Sequence, residues 1–352
     1  MIPPDAHAFS LAQRNFDAIT QDHRAAWHHS FRRARRGLVP LPERVIIELA
    51  NTCNLDCPMC RVGEHGVNLE RVMPIDQFGD IARVLLPTAR DVRLNGLGET
   101  TLVPGFGSYL DVLERFSVNL ELITNGTGSA AVYERIVTSG GTILFSWDAA
   151  SPARFEALRR GARYTDIAAT VRAVSEAARL SGRRDGLHLL FTLQPANRSD
   201  LPAVIELAAE LDVANVVVNV AKLREVGWQV EHRDDVLSAF AYAERVAARC
   251  AVRLFLPDRF GNDSVRLRSA MPTSASGCDR PWKEVVIRWN LDVQVCNMFN
   301  PYVYGNLHLR SFPSIWEGAF AAAFRENVNT SACHPYCRGC AYIGDVYARK
   351  HA

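Results

Sequence analysis

The chain has 352 residues, 48% of them hydrophobic and 22% charged, with a formal net charge of +2. That length supports a barrel-sized domain plus a smaller one, and so balanced a charge makes no field of the kind that draws a protein to nucleic acid. No apolar run reaches the length of a membrane span, and Met1-Ile2-Pro3-Pro4-Asp5 lacks the basic and apolar regions of a signal peptide, so the expected address is the cytoplasm.

Residues 1–43 read as a helical extension, with Phe9, Phe16, Ile19, Trp27 and Phe31 as inward positions. Arg32, Arg33, Arg35 and Arg36 are few and local, which fits a solvated helix face better than a nucleic-acid patch. Nothing near His28-His29 completes a ligand set, so both read as surface residues.

From residue 44 to 257 short aliphatic or β-branched runs alternate with helical stretches, the pattern of consecutive βα units. Strands are expected at 45–49, 91–94, 120–124, 143–147, 187–193 and 216–220, with a further one at 252–256. Helices are expected near 75–86, 106–115, 130–138, 165–181, 200–211 and 234–249, several opened by Pro, Asp or Ser. Six units are too few to close an eight-stranded barrel, so the fold class is α/β, a partial (β/α)6 TIM-like barrel. Residues 258–277, with Gly261, Pro272, Ser274, Ser276 and Gly277, read as a linker or active-site loop, and 278–352 as a small appended domain.

Nine cysteines without an export signal read as metal ligands sooner than disulfides. Three of them, Cys53, Cys57 and Cys60, crowd the loop leaving the carboxyl end of the first strand, the end where α/β barrels place their active sites. Three thiolates in eight residues can wrap one face of an iron-sulfur cube and leave one iron without a cysteine. The competing readings are a structural zinc site completed by His65, a disulfide, or unrelated core cysteines.

Polar residues follow at successive strand ends: Asn95-Gly96-Leu97-Gly98-Glu99, then Thr124-Asn125-Gly126, then Ser146-Trp147-Asp148. Glycines there let the backbone approach a ligand, and a carboxylate can hold an ammonium. Farther on, Cys278 precedes a run at 284–288, a turn at Asn290-Leu291-Asp292, and Val293-Gln294-Val295-Cys296, a hairpin with a cysteine at each outer end. Cys333, Cys337 and Cys340 close the series, and Cys250 reads as a buried small hydrophobe.

Cys-x3-Cys-x2-Cys on the loop after a first strand resembles the signature of the radical S-adenosylmethionine (SAM) superfamily. The resemblance implies a 4Fe-4S cluster on Cys53, Cys57 and Cys60 whose open iron chelates SAM. On reduction such a cluster splits SAM to methionine and a 5'-deoxyadenosyl radical. Gly98 and Glu99 match the family's Gly-Gly-Glu element, with Leu97 between the glycines, and Asn125, Ser146 and Asp148 resemble rim positions that contact SAM in related enzymes. Met59 stands where the family often has an aromatic residue near adenine. Gln194-Pro195-Ala196-Asn197 has no matching adenine or ribose contact.

The tail resembles the auxiliary-cluster domain of the SPASM and twitch branch, with Leu291 in place of a usual glycine. Five cysteines are too few for two auxiliary clusters, so the resemblance implies a second, single 4Fe-4S cluster on Cys278, Cys296, Cys337 and Cys340. Cys333 is then spare. A zinc knuckle on the same thiolates is the alternative.

In size and cysteine order the chain is similar to twitch-domain aminocyclitol dehydrogenases. That similarity implies oxidation of a secondary alcohol on a sugar or aminocyclitol in antibiotic biosynthesis, with the auxiliary cluster accepting an electron. The expected partners are a small-molecule substrate and an electron donor such as flavodoxin or ferredoxin. Three alternatives stand beside it. One is a redox-neutral epimerase or decarboxylase, with Cys333 or Cys250 returning hydrogen. Another is peptide modification, against which stands the short stretch before the barrel. The last is a metal-binding module without catalysis, which leaves the rim residues unexplained.

Overall fold

The computed structural model describes Arg24, His29 and residues 39–60, 71–221, 228–257, 278–296 and 301–338. Most of the amino-terminal extension, the linker at 258–277, His65 and Cys340 lie outside the described residues.

Seven strands form in chain order: β1 Arg44–Ile47, β2 Asp91–Arg93, β3 Asn119–Thr124, β4 Thr142–Ser146, β5 Leu187–Leu193, β6 Asn215–Val220 and β7 Arg253–Phe255. Each pairs in parallel with the next. The helices are α1 Ile75–Leu85, α2 Phe106–Leu113, α3 Ala130–Thr138, α4 Pro152–Leu158, α5 Tyr164–Leu180, α6 Leu201–Glu210 and α7 Arg233–Cys250. The partial TIM-like barrel expected from the alternating runs is therefore present. Helix α1 shows the pattern at work: Phe78, Ile81, Ala82 and Leu85, three or four apart, are its buried face. Helix α4 was not expected, because seven residues hold too little periodicity to read.

The parallel register sorts the strand residues into two faces, since paired residues share a side. Val45, Val92, Leu122, Phe145, Leu189, Phe191, Val216 and Val218 are buried on one. The other, the lumen face, carries Arg44, Arg93, Glu121, Ser146, His188, Thr192 and Asn219. TIM-barrel interiors are ordinarily filled by bulky branched apolar residues; on this face such residues, Ile46, Ile123, Leu144, Leu190 and Val217, stand among the polar ones.

The carboxyl-terminal hairpin continues the barrel sheet. Strand β8, Glu284–Ile287, runs parallel to β1 with Arg44 opposite Glu284 and Ile47 opposite Ile287. Strands β9, Asp292–Gln294, and β10, Val303–Asn306, add antiparallel beyond it, giving one ten-stranded sheet. The open first edge of the barrel is thereby covered. Leu291 takes the turn at φ +65°, a conformation that costs a non-glycine residue about 1–2 kcal/mol, while its side chain is buried. Helices α8, Phe312–Trp316, and α9, Ala319–Asn327, pack behind, and the Trp316 indole donates to the Pro40 carbonyl at 3.0 Å. Among the described residues no helix is long and apolar enough to cross a membrane.

Candidate active site

The cysteine loop leaves β1 at its carboxyl end and is fixed from three sides. The backbone N–H of Glu99 donates to the Thr52 carbonyl at 2.6 Å, so the loop after β2 is joined to the residue before Cys53. A Cβ on Gly98 would overlap the Thr52 carbonyl and stand 2.5 Å from that of Ala50, so only glycine admits this approach. From the other side the segment after α4 clamps the loop. Asp56 N–H donates to the Arg160 carbonyl at 2.9 Å, Arg160 Nε donates to the Asp56 carbonyl at 2.7 Å, and the two side chains form an ion pair at 2.9 Å. Gly161, at φ +94°, lies against Asn54 and Leu55.

Cys57 is buried, Cys53 half-buried and Cys60 exposed, and none of the three is bridged. Burial pushes the Cys57 thiol up to about 11 against the pull of the Arg159 guanidinium, and burial also raises Cys53. Two donors favour the Cys53 thiolate, the Leu55 N–H at 3.4 Å and Asn125 Nδ2 at 3.6 Å. Iron would therefore displace protons on binding, and Arg159 and these donors stabilise the charge that results. The donor set is soft and undiluted by carboxylates, which fits an iron-sulfur cluster. Among the described residues no three Cys, His, Asp or Glu side chains gather closely enough for one metal ion; a cluster, whose ligands sit on different irons, needs no such gathering.

Glu99 is buried, and its carboxylate ties the rim together. Oε1 accepts from the Thr101 hydroxyl at 2.7 Å and the Thr124 hydroxyl at 2.8 Å, and Oε2 accepts from the Asn125 N–H at 2.7 Å. Burial raises its pKa against these donors. Asn125 in turn donates to Asn54 Oδ1 at 3.0 Å and so links the end of β3 to the cysteine loop. Ser146 is buried at the end of β4, and Met59 is half-buried against the core.

Asp148 differs from the expectation of a rim contact. It is fully buried, with Oδ1 accepting from the Thr192 N–H at 2.7 Å and Oδ2 in an ion pair with Arg159 at 2.7 Å. Its carboxylate faces protein on both sides, so its reach toward the cluster runs through Arg159. Asn197, in the stretch that had no match, donates to the Asp148 carbonyl at 2.9 Å and is structural. Sequence reading missed Arg159 and Arg160 because they follow the unread helix α4. It also missed Glu48, which is fully buried, accepts from the Leu97 N–H at 2.7 Å and pairs with Arg288 at 2.8 Å.

Cys278 precedes β8 and Cys296 follows β9, so both lie at the amino ends of the barrel strands, opposite the Cys53 loop. Strand rise puts the two levels on the order of 10–15 Å apart, with the lumen between them. Cys337 is buried in the same domain, and Cys333 is completely enclosed there. Cys250 also lies at the amino-terminal end, just ahead of β7. A hydrogen donor at Cys250 would therefore act from the end of the barrel opposite the Cys53 loop.

The comparisons with known proteins agree with this layout. The family model described as the radical SAM superfamily matches residues 47–208, and the SPASM model, described as an iron-sulfur cluster-binding domain, matches residues 278–341. No curated protein matches the chain. The crystal structure of Streptococcus suis SuiB is 14% identical, covers 86% of this chain and 73% of its own, and superposes with a TM-score of 0.64. Native anSMEcpe with bound AdoMet and a peptide is 13% identical over 86% of each chain, TM-score 0.62. At such identities the likeness establishes the fold. A match to BtrN in complex with AdoMet and 2-DOIA has a TM-score of 0.43 and decides nothing about the reaction. Such domains imply SAM, a 4Fe-4S cluster that binds it, and auxiliary iron-sulfur chemistry, and the chain accordingly carries a radical SAM domain followed by a carboxyl-terminal SPASM domain.

Proposed function

We propose that the protein is a radical SAM oxidoreductase that oxidises a secondary alcohol of a small polyhydroxylated substrate, a sugar or aminocyclitol. The observation that carries this reading is the set of polar groups on the lumen face, where the Arg93–Glu121 ion pair, Thr192 and Asn219 offer donors and acceptors. A hydroxyl-rich ligand exchanges water for such partners, whereas an apolar one would leave them unsatisfied.

Cys53, Cys57 and Cys60 hold the SAM-binding cluster. Gly98, Glu99, Asn125 and Ser146 position SAM at the rim, with Met59 beside the adenine. Asp148 contributes by orienting Arg159. When bound, the reduced cluster and SAM together supply the 5'-deoxyadenosyl radical that takes a hydrogen atom from the substrate. Cys278, Cys296, Cys337 and Cys340 hold a second cluster in which every iron has a cysteine, the arrangement suited to accepting the electron lost as the alcohol becomes a carbonyl. The hydroxyl proton leaves to a lumen base or water. Flavodoxin or ferredoxin in the cytoplasm is the electron source. The barrel takes in residues 44–257 and the auxiliary domain 278–352.

A second reading, peptide modification, is favoured by one observation: SuiB bound to precursor peptide SuiA covers 92% of this chain with a TM-score of 0.63. Anaerobic turnover with SAM, reductant and matched panels of polyols and peptides separates the two. A polyol product lighter by two hydrogens, formed with one deoxyadenosine each, supports the proposal. Deoxyadenosine coupled only to peptide products overturns it.

A further inference from the structure

Tyr304 on β10 is 2% exposed, and its hydroxyl has no hydrogen-bond partner among the described residues. Its ring is set edge-on against Tyr302, Trp316 and Phe324 at centroid distances of 6.1, 6.2 and 6.1 Å. Buried phenols ordinarily find a partner, and a native orphan marks a group whose partner is something other than the polypeptide.

What surrounds the hydroxyl identifies that partner. Tyr304 follows Val303, which pairs with Gln294 two residues ahead of Cys296, and burial together with the charges of Cys296, Cys278 and Cys337 raises its pKa. The Arg325 guanidinium lies 5.9 Å from the Tyr304 ring and 4.2 Å from the Trp316 ring. Arg325 donates to the Pro281 carbonyl at 2.9 Å and the Trp316 carbonyl at 2.7 Å, while its Nη2 has no partner. Among the described residues no carboxylate pairs with this buried cation. An orphaned hydroxyl and a buried guanidinium with an unpartnered Nη2, at the end of the hairpin that carries the cysteines, fit an anionic body with sulfur acceptors.

We propose that the Tyr304 hydroxyl donates its hydrogen bond to the auxiliary iron-sulfur cluster held by Cys278, Cys296 and Cys337, and thereby sets that cluster's reduction potential. The inference rests on the ligand set proposed above. A donor to cluster sulfur favours the reduced, more negative form and raises the potential. Tyr304 is thus a positioning residue for the electron-accepting step.

The test uses the full chain with Cys53, Cys57 and Cys60 changed to Ala, so that only the auxiliary cluster remains. A redox titration followed by electron paramagnetic resonance is run with and without Tyr304→Phe. The expected result is equal iron content and a more negative midpoint in the Phe variant; an unchanged midpoint at equal iron overturns the inference. Absence of iron from the parent triple variant overturns the ligand set itself, which is a separate failure. Melting adds a second reading. Removing an orphaned hydroxyl leaves the iron-free protein as stable or more so, while the loaded protein loses melting temperature relative to its parent. Equal loss in both states would reduce Tyr304 to a packing role and overturn the inference.

Discussion

Arg288→Met tests how the auxiliary domain is joined to the SAM rim. Glu48 is 0% exposed and Arg288 14%, and their 2.8 Å ion pair connects the end of β1 to the end of β8. Glu48 also accepts the Leu97 N–H, so one carboxylate holds the auxiliary hairpin, the barrel and the glycine loop. Removing one partner of a buried pair costs about 3–5 kcal/mol. Burial already pushes the Glu48 pKa up, with Arg288 the chief opposing charge, so the lone carboxyl will take up a proton and hold the loss near about 3 kcal/mol. The sign with pH follows. A carboxyl whose folded pKa lies above its unfolded value favours the folded state at low pH and loses that contribution as pH rises through the folded pKa. The deficit of Arg288→Met is therefore smaller at pH 5 than at pH 8. Urea unfolding at both values measures it, with Glu48→Gln/Arg288→Met recovering part of the loss. Stability within about 0.5 kcal/mol of the parent at both pH values would refute the reasoning.

Two further outcomes are expected. Gly98→Ala forces a Cβ against the Thr52 and Ala50 backbone, which cannot yield as a side chain can, at a cost of about 3 kcal/mol or more; SAM binding measured by calorimetry should be lost even where iron is retained. His188 is held neutral by burial and the Arg253 charge, its pKa down to about 4. A depressed histidine adds stability above its unfolded pKa and loses it as pH falls toward the folded value. Unfolding free energy should drop by about 2 kcal/mol between about pH 6.5 and 4, and His188→Phe should flatten that slope.

Much of the barrel was legible because each strand is a short aliphatic run bounded by turn residues, and parallel pairing of such runs follows from the intervening helices. Strand β5 is the clearest case, with Leu187, Leu189, Phe191 and Leu193 alternating toward the helices. The cysteine loop was legible from spacing alone. What escaped was non-local. The pairing of β8 with β1 joins residues about 240 positions apart, and no local pattern encodes it. Glu48, Arg159 and Arg288 carry no local mark of their partners, since only the folded chain shows that their ion pairs with Asp148 and each other are closed off from water. Asp148 was placed correctly at a strand end, but its orientation depends on Arg159, eleven residues later. Tyr304 gave no signal, because an orphaned hydroxyl exists only once its surroundings are built.

The most direct test of the account is iron and sulfide per chain after anaerobic reconstitution, in the parent and in the variant with Cys53, Cys57 and Cys60 all changed to Ala. Two 4Fe-4S clusters predict about eight irons falling to about four. About four irons falling to none would contradict the auxiliary cluster and, with it, the oxidative reaction.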